Sequence, residues 1–127
     1  MRGEIVFIIN PFSGKWAKGP IRKTKIDSFI ERKGLKARSI LTERACHATE
    51  LAQQCLQEGA ARVICVGGDG TMNEVARVLV GTDIPFGLVP MGSGNGLARH
   101  LGLPLRFEDA LENANSEAVL CIDTGEV

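Results

Sequence analysis

Short runs of apolar residues alternate along this chain with segments in which apolar residues recur every three or four positions. The short runs predict buried strands, and the spaced repeats predict amphipathic helices. Strands are predicted over residues 5–9, 36–41, 63–66, 84–89 and 118–122. Helices are predicted from Pro20, over 48–56, over 72–79, around 97–101 and over 107–114, with Gly34, Gly59 and Gly81 ending the first three. Strands and helices that alternate in this way are typical of an α/β protein built around a parallel sheet.

The length and composition fit one globular domain. The chain has 127 residues, of which 44% are hydrophobic and 24% are charged, and both fractions are ordinary for a folded protein with a sizeable core. No low-complexity stretch, internal repeat or interdomain linker interrupts the pattern. We therefore expect residues 1–127 to form a single domain.

The charge balance narrows the choice of partners. Lys and Arg together number 15, Asp and Glu together number 15, and the formal net charge is zero. A nucleic-acid binder usually carries a basic surface, so we expect no nucleic-acid partner.

The apolar run Ile5–Ile9 is far shorter than the roughly 18 residues of a membrane helix, and no secretory signal pattern is present. These features predict a cytoplasmic protein.

The pattern of the four cysteines predicts residues that pack in the core rather than a metal or redox site. Cys46, Cys55, Cys65 and Cys121 show no C-x-x-C spacing, so neither a zinc site nor a redox motif is indicated. Three of the four lie in apolar stretches, where a free cysteine packs as a small hydrophobic residue.

Glycine is the compositional outlier and marks candidate ligand loops. The chain has 15 glycines, nine of them between Gly67 and Gly102. Three loops follow predicted strands: Asn-Pro-Phe-Ser-Gly at 10–14, Gly-Gly-Asp-Gly-Thr at 67–71, and Met-Gly-Ser-Gly-Asn-Gly at 91–96. In a parallel sheet, ligands bind beyond the carboxyl ends of the strands. We therefore expect the three loops to converge in space.

The loop at 67–71 has the features of a phosphate cradle. Its glycines allow the backbone to approach a ligand closely, and the following helix N-terminus offers N–H groups to an anion. Asp69 needs a separate explanation, since a carboxylate near phosphates is unfavourable. It would hold Mg²⁺, accept a proton from an attacking hydroxyl, or bind a ribose or substrate hydroxyl. The alternative is that Asp69 only caps the helix that follows.

The loop at 92–96 also precedes a predicted helix, and its hydroxyl and amide groups are able to donate to phosphate oxygens. Arg99 lies one turn further along. A dinucleotide-binding Rossmann motif would follow the first strand instead, and a Walker P-loop is missing because Trp16 follows Gly14-Lys15. A bound nucleotide would therefore be held in another way.

Taken in order, NPFSG at 10–14, GGDGTMNEV at 67–75 and PMGSGNGLAR at 90–99 resemble the catalytic domain of the diacylglycerol kinase and sphingosine kinase family. GGDGT alone is shared with the NAD kinases, whereas the ordered set is far more specific. The resemblance covers residues 5–123. It implies a three-layer α/β sandwich with a mostly parallel sheet, like the N-terminal domain of NAD kinases and diacylglycerol kinases. It also implies transfer of the γ-phosphoryl group of ATP, with Mg²⁺, to the hydroxyl of a diacylglycerol- or sphingoid-type lipid.

The resemblance implies the site residues as well. Asp69 corresponds to the general base favoured in sphingosine-kinase-like members, and it is also the expected metal ligand. Glu74 is expected to brace the site. In bacterial diacylglycerol-kinase-like members the base and metal carboxylates lie in a second, β-rich domain, which this chain lacks by comparison. The implied nucleotide contacts are Asn10, Thr42, Gly67, Gly68, Asp69, Gly70, Thr71, Met72, Asn73, Gly92 and Ser93.

The lipid itself is less strongly indicated. Bacterial diacylglycerol-kinase relatives often have Gly-Thr-x-Asn-Asp in the second loop, whereas this chain has Gly-Ser-Gly-Asn-Gly at 92–96. The missing acidic residue favours the sphingoid class slightly. Expected partners are ATP, the lipid and, transiently, the inner membrane surface; homo-oligomerisation is left open. The alternatives are a relative of the NAD kinases and a nucleotide-binding module without catalytic activity.

Overall fold

The computed structural model describes residues 3–11, 19–90 and 107–115. Strands and helices alternate along these ranges, as the sequence predicts. The predicted helix at 97–101, the predicted strand at 118–122 and the loop at 91–96 lie outside the described residues. In chain order the described elements are β1 (Ile5–Ile9), α1 (Gly19–Lys33), β2 (Ala37–Leu41), α2 (His47–Glu58), β3 (Arg62–Gly67), α3 (Asp69–Leu79), β4 (Phe86–Pro90) and α4 (Phe107–Asn115).

The four strands form one parallel sheet in the order β2-β1-β3-β4. Ile5 of β1 pairs with Ala37 of β2 on one side and with Arg62 of β3 on the other. β4 joins through the pair Val63 and Phe86. Parallel sheets are covered on both faces, which explains why β1 and β3 are almost continuously apolar. The predicted α/β class is confirmed.

Alternate side chains of β1 point to opposite faces of the sheet. Val6 and Ile8 pack in a core with residues of α2 and α3. Phe7 and Ile9 pack in a second core with residues of α1 and α4. All four side chains are fully buried, and each burial stabilises the fold by about 1.5–3 kcal/mol. The described residues thus form three layers, with helices on both sides of the sheet.

Glycines end the helices where the sequence predicts. Gly34 follows α1 and Gly59 follows α2, both with positive φ, and the Gly59 N–H bonds to the last carbonyls of α2. This left-handed conformation has little cost for glycine.

The strand predicted over 84–89 is observed at slightly later positions: β4 runs from Phe86 to Pro90. Pro85 has no N–H to donate to the ladder, although its carbonyl still accepts from Val63.

None of the helices in the described ranges combines the length and apolar character needed to cross a membrane.

Helix α4 lies very close to the sheet at one point. Arg62 Nη1 donates a 2.7 Å hydrogen bond to the carbonyl of Ala114, near the C-terminus of α4. Lys33 at the end of α1 forms a 3.0 Å ion pair with Glu112. A Cβ atom added to Gly87 of β4 would lie 2.9 Å from the Ala114 Cβ and 3.1 Å from the Ala114 backbone. Glycine at position 87 is therefore required by packing.

We predict that Gly87→Ala lowers the free energy of unfolding by about 1–3 kcal/mol, the usual cost of overpacking. The clash involves backbone atoms of α4, which no side-chain rotation relieves. Urea unfolding followed by circular dichroism measures the change. Gly70→Ala is the matched control, because a Cβ at that helical position meets nothing within 4 Å. Equal stability of the two variants would contradict the prediction.

Candidate functional site

A cleft of about 300 Å³ opens at the carboxyl edge of the sheet. Its walls come from three parts of the chain: the residue after β1, the segment from the end of β2 into the first turn of α2, and the first turns of α3. The lining residues are Asn10, Thr42, Arg44, Ala45, Ala48, Thr71 and Glu74. Asn10 and Thr71, which belong to two of the three loops expected to converge, therefore meet here, together with Thr42; residues 12–14 and the loop at 91–96 lie outside the described residues.

Asn10 and Thr71 are joined directly. Asn10 Nδ2 donates to Thr71 Oγ1 over 2.8 Å, and the Asn10 backbone N–H donates to the Val66 carbonyl. Asn10 is thereby fixed by both its backbone and its side chain. Since the Thr71 oxygen accepts from Asn10, its own proton is directed to another acceptor. The bond from Asn10 thus fixes the position of the Thr71 oxygen at the cleft, and only 5% of the residue's surface is exposed.

Thr42 lies just beyond the end of β2. Its backbone N–H donates to the Ile9 carbonyl over 2.8 Å, so the pairing of β1 with β2 extends by one residue. Thr42 is buried, with 6% of its surface exposed, while it still lines the cleft. The structure thus brings together three residues that the sequence predicted as nucleotide contacts: Asn10, Thr42 and Thr71.

The segment between Thr42 and α2 is held in a tight turn. The Glu43 N–H donates to His47 Nδ1 over 2.9 Å, which gives His47 a structural role at the start of α2. Cys46 has φ 63° and ψ 4°, the left-handed conformation. Arg44 donates to the carboxylate of Glu50, and this hydrogen bond holds the pKa of Glu50 below its usual value. The turn therefore places a cation, Arg44, in the wall of the cleft.

The sequence reasoning did not identify Arg44, Ala45 or Ala48 as site residues. They belong to no glycine-rich motif, and nothing in their residue types marks them as ligand contacts. Their position in the chain was nevertheless informative, since they follow β2 at the edge where parallel strands place ligand sites.

Helix α3 begins directly after Gly68. Gly68 is the N-cap residue, and the Met72 N–H donates to its carbonyl over 3.0 Å. The capping interpretation of Asp69 is therefore wrong, because Asp69 is the first residue inside the helix. A carboxylate there is favoured by the helix dipole. Asp69 is partly exposed and is not among the described residues that line the cleft.

The residues of α3 divide between two faces. Thr71 and Glu74, three positions apart, line the cleft. Met72 lies on the other face, where its fully buried side chain packs in the core with α2. The Met72 N–H donates to the Gly68 carbonyl, and Met72 is not among the described residues that line the cleft. Its expected contact with the nucleotide stays a prediction. Asn73 is exposed on the outer side of the helix.

Glu74 links the two helices that border the cleft. Thr49 of α2 donates through Oγ1 to Glu74 Oε1 over 3.1 Å. The bond spans the packed pair α2 and α3, and it fixes a carboxylate in the wall. The expectation that Glu74 braces the site stays a prediction.

Some of the remaining expected nucleotide contacts lie within the described residues, and others lie outside them. Gly67 is buried at the end of β3, and Gly70 is exposed in the first turn of α3. Gly92 and Ser93 lie outside the described residues. Within the described ranges, no group of three or more His, Cys, Asp and Glu side chains is placed to hold a metal ion.

Two of the cysteines pack as the sequence suggests. Cys55 and Cys65 are fully buried in the core. Burial raises the pKa of the Cys55 thiol to about 11 and raises that of Cys65 as well. Such thiols are unreactive at neutral pH. Cys46 is exposed instead, and Cys121 lies outside the described residues.

The described residues form a three-layer α/β domain with a cleft at the carboxyl edge of its parallel sheet, and comparison with known sequences gives the family. The family described as "Diacylglycerol kinase catalytic domain" matches residues 4–127. The chain belongs to this family.

Relatives with curated sequences carry lipid-kinase names. A "Diacylglycerol kinase" of Mycobacterium tuberculosis is 35% identical over 109 residues, covering 82% of this chain and 33% of that protein. A "Probable lipid kinase YegS-like" of Pseudomonas fluorescens is 42% identical over 89 residues, covering 68% of this chain and 29% of that protein. A "Sphingoid long-chain bases kinase 1" of Arabidopsis thaliana is 34% identical over 102 residues, covering 74% of this chain and 13% of that protein. The chain spans about a third of the length of the bacterial relatives.

A solved structure shares the fold. The crystal structure of a diacylglycerol kinase from Bacillus anthracis matches with a TM-score of 0.71 and 24% identity, covering 84% of this chain and 37% of that one. The layered arrangement of the sheet and helices is thus that of the kinase structure.

We predict that Cys46→Gly raises the free energy of unfolding by about 0.5–1 kcal/mol. The left-handed conformation is unfavourable for a residue with a Cβ atom by about 1–2 kcal/mol, part of which the greater unfolded-state freedom of glycine offsets. Cys46→Ala keeps the Cβ and serves as the control, with stability close to that of the parent protein. Thermal and urea unfolding measure both variants. If alanine and glycine gave the same stability, the conformation at position 46 would not be strained.

Proposed function

We propose that the chain is the nucleotide-binding part of an ATP-dependent lipid kinase, which transfers the γ-phosphoryl group of ATP to the hydroxyl of a diacylglycerol- or sphingoid-type lipid. The observation that carries the proposal is the cleft in which Asn10, Thr42 and Thr71 meet at the start of α3. The names of the relatives support a lipid as the acceptor. They are names of longer proteins, and the activity of this chain is proposed from them.

The phosphates would bind at the start of α3. A helix N-terminus presents backbone N–H groups and a partial positive charge, both of which favour an anion. Packing against the described part of the chain does not account for Gly70, since a Cβ there would meet none of its atoms within 4 Å. A glycine at this position keeps the space in front of the turn open for a ligand. The Thr71 hydroxyl, whose oxygen is held by Asn10, would donate to a phosphate oxygen at the same place.

Asp69 is the carboxylate that we assign to the transfer reaction. In the first turn of α3 it lies next to the proposed phosphate position, where it would orient the lipid hydroxyl and accept its proton. Mg²⁺ commonly uses one or two protein carboxylates and takes its other ligands from phosphates and water. Asp69 alone suits that donor set and would hold the ion, which neutralises charge on the phosphates.

The lipid substrate requires contact with a membrane surface, which we propose is peripheral and transient, on the cytoplasmic side. The backbone and side-chain groups described above would position the substrates and stabilise their charge, and these two effects dominate the catalysis of phosphoryl transfer. In this scheme the cleft binds and orients ATP, and Asp69 acts on the acceptor hydroxyl.

We predict that Thr71→Val weakens the binding of Mg·ATP about tenfold, because a hydrogen bond to a charged group contributes about 1.5–3 kcal/mol. Isothermal titration calorimetry with the 127-residue chain measures the affinity. Thr71→Ser keeps the hydroxyl and is expected to bind nearly as the parent does. Unfolding of each variant is compared, since loss of the Asn10 bond also affects stability. Unchanged affinity of the folded valine variant would remove Thr71 from the proposed site.

We predict that Asp69→Asn lowers lipid phosphorylation at least a hundredfold, the usual range for loss of a general base being about 10²–10⁴. Transfer of labelled phosphate to diacylglycerol and to sphingosine is measured with the protein that carries this sequence. NAD is tested as a third acceptor. Undiminished turnover in the variant would exclude the assigned role, and transfer to NAD without transfer to any lipid would instead support an NAD kinase relative.

A further inference from the structure

One wall of the cleft is carried by the turn that joins β2 to α2. Thr42, Arg44 and Ala45 line the cleft, and all three lie within the five residues that precede the helix. Thr42 is anchored to the sheet by its bond to the Ile9 carbonyl. Residues 43–46 are exposed and lie beyond the paired part of β2. Their conformation therefore depends on contacts within the turn itself.

His47, the first residue of α2, supplies two of these contacts. Its ring nitrogen Nδ1 accepts a 2.9 Å hydrogen bond from the Glu43 N–H, and its backbone N–H donates to the Arg44 carbonyl over 3.2 Å. Cys46, the N-cap residue, makes no side-chain capping bond. The imidazole thus connects the start of the helix to the turn, and the Glu43 bond spans Arg44 and Ala45 in the cleft wall.

The bond from Glu43 requires a neutral imidazole. A neutral ring has one donor nitrogen and one acceptor nitrogen, whereas the imidazolium ion donates from both. Because Nδ1 accepts from Glu43, the ring proton lies on Nε2. A second proton, on Nδ1, would face the Glu43 N–H and abolish the bond. A positive charge in the first turn of α2 would also oppose the helix dipole. Protonation of His47 therefore removes a contact that holds the turn.

Protonation would also disturb the ion pair in the same wall. Arg44 pairs with Glu50, which lies three positions after His47 on α2, and residues three apart on a helix are neighbours. The pKa of the Glu50 carboxyl is lowered by its hydrogen bond from Arg44 and, more weakly, by the charges of Arg44 and His47. A charged His47 would therefore compete with Arg44 for Glu50.

The elements that pack against α2 add few charges. Strand β1, which α2 covers, has no ionisable side chain. On α3, the carboxylate of Glu74 is bonded to Thr49 of α2. The ionisable residues of the turn, of the rest of α2 and of α3 are Glu43, Arg44, Cys46, Glu50, Cys55, Glu58, Asp69, Glu74 and Arg77. Glu50, as the partner of Arg44, is the carboxylate that links a charge on His47 to the cleft wall.

We propose that neutral His47 is a positioning residue for the Arg44–Ala45 wall of the cleft, and that protonation of His47 releases this wall and weakens nucleotide binding. The proposal rests on the proposed nucleotide-binding function. Histidine is the side chain whose charge ordinarily changes between about pH 5 and pH 8. The bond is present on the alkaline side of this range, so nucleotide affinity is expected to fall as the pH is lowered.

The first test needs no nucleotide. Nuclear magnetic resonance of the isotope-labelled 127-residue chain follows the His47 ring and the Glu43 amide between about pH 8 and pH 5.5, a range in which carboxylates ordinarily stay ionised. The Glu43 amide signal is expected to shift with the same midpoint as the His47 ring. A Glu43 amide that stays unchanged while the ring becomes charged would show that His47 does not hold the turn.

The second test is calorimetric titration with Mg·ATP at both ends of that range. Protonation of His47 is expected to weaken binding about twofold to tenfold, the range for one ordinary hydrogen bond. His47→Asn keeps an acceptor oxygen near the position of Nδ1 and has no charge to gain. It should bind as the parent does at about pH 8 and lack the additional loss at about pH 5.5. His47→Leu has no acceptor and should bind weakly at both.

His100→Asn is the matched control, since the chain has two histidines. It should keep the pH dependence of the parent. ATP also gains a proton in acid, but this effect is common to the parent and all variants, so the difference between them reports on the protein alone. Urea unfolding at each pH confirms that every variant is folded before affinities are compared.

Two outcomes would overturn the inference alone. In one, His47→Asn loses affinity in acid by the same factor as the parent. In the other, folded His47→Leu binds Mg·ATP as tightly as the parent at about pH 8, so that the imidazole positions nothing that the nucleotide needs. If the parent bound no nucleotide at either pH, the proposed function itself would fail, and the effect of His47 on binding with it.

Discussion

Strand β1 is hydrogen-bonded to parallel neighbours on both sides, and the position of the cleft depends on this pairing. The ladder continues past the end of the strand: Thr42 donates to Ile9, and Asn10 donates to Val66. Two of the polar residues in the cleft are therefore anchored by the backbone of the sheet itself. Side chains on such rigid supports keep their geometry without the entropy cost that a free loop would have on binding.

The two faces of the sheet contribute differently to the structure. The face covered by α2 and α3 carries the cleft at its edge, and the pairs Asn10–Thr71 and Thr49–Glu74 tie its elements together. The face covered by α1 and α4 contributes a second core and the contacts of Arg62 and Lys33 with α4. Because the described polar links of the cleft lie on the first face, substitutions on α1 provide clean comparisons for the site.

Much of the fold could be predicted from the sequence because its signals are local. Gly34 and Gly59 mark helix ends through their own conformation, and the apolar run of β1 shows a strand buried on both faces. The meeting of Asn10 with Thr71 followed from one general property of parallel sheets. Other features depend on partners distant in the chain: Thr49 and Glu74 meet only once α2 packs on α3, and Met72 faces the core because of the helical phase of α3. No local pattern reveals which turn residue, such as Arg44, borders a cleft.

The contact between α4 and the sheet has a consequence for the order in which the chain folds. Ile64, Val66 and Val89 are buried in the core to which Ala110, Leu111 and Ala114 of α4 belong. During synthesis, the strands leave the ribosome well before α4 does. Until residue 115 has emerged, one face of a largely formed sheet lacks part of its cover, and exposed apolar strands of this kind are prone to aggregate. Among the described elements, α4 is thus the last to add to the burial of this face of the sheet.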